Sequence, residues 1–189
     1  VGWYPNVAVD DTDRVHLAWT DADVGDVLYA VSPAGAVQPG APEAVEVEGA
    51  AGGFVRLALA PGGVPIVSYY HQGDHTLKVA HRPQDAAAMK AAGAIIDAEP
   101  PPAPPFRPGA PGWALEEIAF GDEAGAESAL TVDPQGRVHL LYTTGGDRLR
   151  YARRPSDAPA FGAGGVGHWE KIDVDTVGAS PQVRADLRV

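Results

Sequence analysis

The 189 residues carry a net charge of −11, no cysteine and 45% apolar residues. The missing cysteine excludes disulfides, thiolate metal sites and a cysteine nucleophile. The acidic balance argues against nucleic acid and membrane partners, which call for Lys and Arg, and leaves neutral ligands and cations.

No apolar run approaches the ~20 residues that span a bilayer, so membrane insertion is not expected. No basic segment leads into an apolar stretch at the start, so no signal peptide is read. Gly and Pro number 23 and 18, which suits many short strands joined by turns.

In chain order the first predicted unit pairs Val7–Asp10 with Val15–Trp19 across a polar turn. The second pairs Leu57–Ala60 with Val64–Tyr69 across Pro61-Gly62-Gly63, and the third pairs Leu130–Asp133 with Val138–Tyr142 across Pro134-Gln135-Gly136 and Arg137. Pro fixes φ and Gly accepts φ > 0, so these are turn residues by chemistry. A third strand follows each time (Val27–Ala30, Leu77–Ala80, Leu149–Ala152), and then a fourth (Ala44–Val47, Trp113–Ile118, Trp169–Val174). The first two strands of a unit are the more continuously apolar, as if covered on both faces; the last two alternate, as if wet on one. We call the four strands A, B, C and D.

Equivalent A positions at Asp10, Ala60, Asp133 and Asp186 are 50, 73 and 53 residues apart. Blades of a β-propeller recur at about 40–50 residues. The expected fold is therefore all-β, a β-propeller of four-stranded antiparallel blades: three complete blades plus one extra strand, an incomplete ring. The chain reads as a single propeller-like region, 1–189, with repeat one at 1–50, repeat two at 51–123, repeat three at 124–176 and the start of repeat four at 177–189. The long middle spacing comes from an Ala/Pro-rich insertion at 84–112, read as an enlarged C–D connection. Its first part suits a short helix near Asp85 and its second, Glu99–Pro105, a polyproline-like segment. Val1–Val7 matches Val177–Val183, so the chain starts and stops near the same point of the repeat. The remaining blades are expected from a longer parent chain or from oligomerisation, the longer parent being favoured because a self-closing oligomer has no need of a redundant strand.

The pattern Leu/Val-x-x-Asp, turn, Val-His-Leu-x-Trp/Tyr, loop, Leu-x-Tyr-Ala and a strand opening on Trp resembles the repeats of bacterial exported proteins with sialidase-like or lectin-like β-propellers. It covers nearly the whole chain as architecture. It implies a propeller fold and an extracellular or periplasmic location. It does not extend to activity, because the chain contains no Ser-x-Asp-x-Gly-x-Thr-Trp box.

Four features are candidates for chemistry. His16 and His139 share a repeat position, where repeat two has Pro65, and recurrence suggests packing. Asp21, Asp23 and Asp26 on the first B–C loop offer hard oxygens to Ca²⁺, though without a closing bidentate Glu. His71, Asp74 and His75 on the second B–C loop suit ligand binding, metal or acid–base chemistry. Trp3 and Tyr4, on the D–A side, present flat faces for stacking on a sugar or a partner. The Trp and Tyr residues on the B and D strands are expected in the core between blades.

No cofactor is expected apart from that possible Ca²⁺. The expected function is a non-catalytic binding module recognising a glycan or a protein through loops on one face. The alternatives are a glycoside hydrolase or lyase working at the ring centre with His71 and His75, and a structural or assembly module docking through the Pro-rich insertion.

Overall fold

The computed structural model describes residues 2–49, 51–82, 106–108, 112–120, 124–145, 148–155 and 169–176. Among them there is no helix, and the all-β expectation holds. The strands are β1 (Gly2–Val9), β2 (Val15–Asp21), β3 (Val27–Val31), β4 (Glu43–Glu46), β5 (Gly53–Ala60), β6 (Val64–His71), β7 (Thr76–His81), β8 (Phe106–Pro108), β9 (Ala114–Phe120), β10 (Ser128–Val132), β11 (Val138–Thr144), β12 (Arg148–Arg154) and β13 (Glu170–Thr176).

They form three antiparallel sheets: sheet 1 in the order β1-β2-β3-β4, sheet 2 in the order β5-β6-β7-β9-β8, and sheet 3 in the order β10-β11-β12-β13. Each predicted A-B-C-D unit is thus one sheet. Because β7 pairs directly with β9, the residues between them are a C–D connection. Phe106–Pro108 adds a fifth strand beyond β9, which the Pro-rich composition did not suggest. The helix and polyproline expectations for the rest of 84–112 lie outside the described residues.

Register repeats along with order. The C–D ladder of every sheet carries a β-bulge at the same place: Val27 pairs with Glu46 and Leu28 with Ala44, Leu77 with Ala119 and Lys78 with Glu117, Leu149 with Asp175 and Arg150 with Asp173. The skipped residues are Val45, Ile118 and Val174, apolar each time. A bulge re-aims its extra residue, and here it points Val45 and Ile118 into buried packing, at 0% and 2% exposure. The same register puts Ile66, not Pro65, in the position of His16 and His139, since Ala8, Ala58 and Thr131 face them in turn. Ala60 pairs with Val64, an extra rung, so β6 starts one residue early and an alignment on strand starts slips by one.

The sheets stack face to face. Sheet 1 turns Ala18, Val27, Tyr29 and Val45 towards Leu57, Val67, Tyr69 and Leu115 of sheet 2. The opposite face of sheet 2, with Ile66, Leu77, Val79 and Ile118, packs on Val138, Leu140, Tyr142 and Ala152 of sheet 3. We call the face a sheet turns to its successor its trailing face, and the other its leading face. The A strands neighbour one another, β5 between β1 and β10. Asn6 Nδ2 donates to Val55 O (2.9 Å), and Arg56 Nε, one sheet on, donates to the equivalent Ser128 O (2.8 Å).

The predicted division between apolar A/B strands and alternating C/D strands is corrected. What decides is the sheet's place in the stack. β2 alternates strictly, whereas β6, β7 and β9 of the middle sheet are buried on both faces.

Candidate functional site

The A–B turns carry a repeated polar device. Asp10 Oδ1 accepts from Thr12 N (2.9 Å) and Arg14 N (3.0 Å), and its Oδ2 from Arg14 Nε (2.7 Å). Asp133 does the same with Gln135 N (3.0 Å), Arg137 N (2.9 Å) and Arg137 Nε (2.5 Å). Burial alone would raise these carboxyls, but the hydrogen bonds from Arg, His and turn backbone outweigh it and hold both far below the usual range. An ionised carboxylate can only accept, so His16 and His139 donate to it through Nε2, at 3.2 and 3.1 Å. Each Nδ1 then accepts from a tyrosine hydroxyl on the C strand, Tyr29 at 2.5 Å and Tyr151 at 2.6 Å. Burial, ahead of the nearby charges, pushes the Tyr29 hydroxyl up to about 12, which keeps it a donor. Repeat two holds Ala60, Ile66 and Val79 at these three positions, all buried in the apolar core. Asp, His and Tyr are present together or replaced together, the mark of a lock between strands A, B and C.

The second B–C loop folds onto a buried charge cluster. Lys78 Nζ, with 0% residue exposure, binds Glu46 Oε1 of sheet 1 at 2.8 Å and Asp74 Oδ2 at 3.3 Å. Tyr69 Oη donates to Glu46 Oε2 at 2.7 Å, and burial followed by the Glu46 charge pushes this hydroxyl well up. His71 is 2% exposed. Its Nδ1 accepts from Asp74 N (3.0 Å), so its Nε2 carries the hydrogen and donates to Glu48 O (2.7 Å). Both ring nitrogens are therefore committed to shaping the loop. His75 is exposed, with φ of 54° and Nδ1 3.1 Å from Tyr70 Oη.

On the first B–C loop, Asp21 Oδ1 accepts from Asp23 N (2.9 Å), and Asp21 N and O bind Asp26 O and Gly25 N, each at 2.8 Å. Burial and then the Asp21 charge raise the Asp26 carboxyl. Among the described residues no three His, Asp or Glu side chains converge to hold a metal ion.

At the loop end of the A strands lies an aromatic group. Trp3 is 56% exposed. Tyr4 follows it and packs on Phe54, with ring centroids 4.9 Å apart. The A–B register makes Tyr4 and Phe54 equivalent, each in a bulge and each with positive φ, 52° and 54°. The B–C loop of sheet 2 borders this group: a Cβ on Gly53 would lie 3.3 Å from Gln72 Nε2. At the opposite end the three A–B turns surround a concavity of about 360 Å³.

Of the residues singled out from sequence, His71 joins Asp74, while Trp3 and Tyr4 are chain neighbours of which Tyr4 packs on Phe54. Asp21, Asp23 and Asp26 share a loop closed by its own backbone. Sequence reading missed Phe54, although Gly2-Trp3-Tyr4 and Gly52-Gly53-Phe54 place an aromatic two residues after the same glycine. It also missed Glu46 and Lys78, which a strand alternation treats as solvent-facing. The sequence matches no protein-family model and no curated protein.

Proposed function

We propose that the three sheets are successive blades of a β-propeller, and that the module binds a neutral glycan, without turnover, at the end where Trp3, Tyr4 and Phe54 gather. The propeller part is supported by strands A to D of each sheet running outwards in chain order from A strands that neighbour one another. The exposed Trp3 beside the Tyr4–Phe54 pair carries the binding part. Aromatic rings pack on the C–H face of a sugar, and Gln72 of the bordering B–C loop supplies a polar group for its hydroxyls. The charge of −11 disfavours an anionic ligand.

The test is an array of neutral and acidic oligosaccharides, followed by titration of the best glycan while monitoring tryptophan fluorescence. Binding to neutral glycans without release of reducing ends, weakened at least tenfold by Trp3→Ala, is the expected result. Glycan cleavage lost in His75→Ala would favour the hydrolase alternative instead, and a silent array would remove the glycan reading.

A further inference from the structure

Among the described residues the stack has two uncovered end faces, one on sheet 1 and one on sheet 3. On sheet 1 the leading face presents Val7 (65% exposed), Val9 (60%) and half-buried Leu17 and Trp19. In the register shared by the sheets these are the counterparts of Leu57, Leu59, Val67 and Tyr69, which sheet 2 buries against sheet 1. On sheet 3 the trailing face presents Ile172 (60%), Val174 (51%) and half-buried Leu141, Leu149 and Tyr151. Val174 is the bulged residue whose counterparts Val45 and Ile118 are buried against the next sheet. Single exposed apolar residues mean little, but two broad apolar faces of complementary origin are an interaction surface.

The charges argue for a specific occupant. Each internal interface is crossed by a Glu–Arg pair at one place. Glu43 meets Arg82 between sheets 1 and 2. Glu116 meets Arg154, Oε2 to Nε 3.5 Å, between sheets 2 and 3. At the outer faces the Glu position holds Ile172 and the Arg position Ser32, whose Oγ is used by Val15 N at 2.8 Å. Both partners of this pair are dropped together, so at this place the joined faces bury no unpaired charge. An unrelated sheet of the repeat that kept its Arg would bring one.

We propose that a second copy of this chain docks head to tail, its sheet 1 leading face on the sheet 3 trailing face, so that oligomerisation and not the expected longer parent supplies the remaining blades. The three sheets of the described residues make six in two copies, within the range of about 4–8 blades that close a propeller. The docking rests on the stacking described above, and its closure into a ring on the propeller reading.

The test is the mass of the full chain in solution, by sedimentation and light scattering across micromolar concentrations. The expected species is twice 19.6 kDa. Leu17→Glu blocks the leading face and Leu141→Glu the trailing face; each variant alone is expected to be monomeric, and an equimolar mixture to form a one-to-one dimer through the intact pair of faces. Val7→Glu and Ile172→Glu, at more exposed positions, serve if either first variant fails to fold. A series of longer species would support the docking and count against ring closure. A wild-type monomer, variants that still dimerise, or a mixture that stays monomeric would each overturn the proposal. A monomer that binds glycan would leave the functional reading standing while this one fails.

Discussion

Lys78 concentrates the energetics of the first interface in one side chain. Its ammonium is buried between Glu46 of the neighbouring sheet and Asp74 of its own loop. Taking both charges out of water is costly, and their attraction offsets that cost only while both are present. Lys78→Met leaves Glu46 with the Tyr69 hydroxyl but no cation, and is expected to destabilise the protein by roughly 3–5 kcal/mol. Lys78→Met with Glu46→Gln removes both charges and should recover most of that loss. Urea unfolding of the two variants and wild type checks this, and a double variant as unstable as the single one would mean that packing around Lys78, not charge, holds the sheets together. The Asp–His–Tyr locks show why such partners were hard to read beforehand. Asp10-x-x-x-Arg14-Val15-His16 and Asp133-x-x-x-Arg137-Val138-His139 are plain in the sequence. Tyr29 and Tyr151 lie 13 and 12 residues further on, across the loop before strand C, and only the strand register brings them to the histidine. Glu46 and Lys78 are 32 residues apart, joined by sheet stacking to which local alternation is blind.

At the scale of elements, turn residues and apolar runs were enough to place all twelve strands of the three units, because both reflect local backbone chemistry. The burial of each strand was not legible, because it depends on whether another sheet follows. Where sheets meet, glycine sets how closely they approach. Gly52 and Gly125 occupy one repeat position, at the chain's passage from strand D to strand A. A Cβ on Gly52 would lie 2.3 Å from Thr20 Cγ2 of sheet 1, and one on Gly125 2.6 Å from Leu77 Cδ1 of sheet 2. Gly125 also has φ of 83°, a conformation costly for alanine, and Leu77 is fully buried. Gly125→Ala therefore combines overpacking with backbone strain and is expected to cost about 2–4 kcal/mol. Leu77→Val in the same chain removes only the outer Cδ1 contact, since Leu77 Cβ and Cγ also lie 2.8 Å from that position, and is expected to restore little of the stability. Thermal melts of wild type, single and double variants measure it, and a single variant as stable as wild type would show that the two sheets can part without loss.

For the whole molecule, stability should be graded by position in the stack. Among the described residues the two cores lie between sheets 1 and 2 and between sheets 2 and 3, so the middle sheet gains two interfaces and the outer ones a single interface each, as in other repeat assemblies. Sheet 2 buries β6 and β7 almost completely, while β1 and β13 expose Val7, Val9, Ile172 and Val174. Local opening costs least where few apolar contacts are lost. Native-state hydrogen exchange at low concentration is therefore expected to protect the β6–β7 amides most, with β1 and β13 exchanging first. Raising the concentration should slow exchange in β1–β2 and β11–β13 together, since one docking event covers both ends. The Leu17→Glu variant should lose that concentration dependence at both ends at once, although it alters only one face, because a copy without a leading face cannot cover the trailing face of another. Equal protection across the three sheets would point to a single cooperative core in which stacking order plays no part.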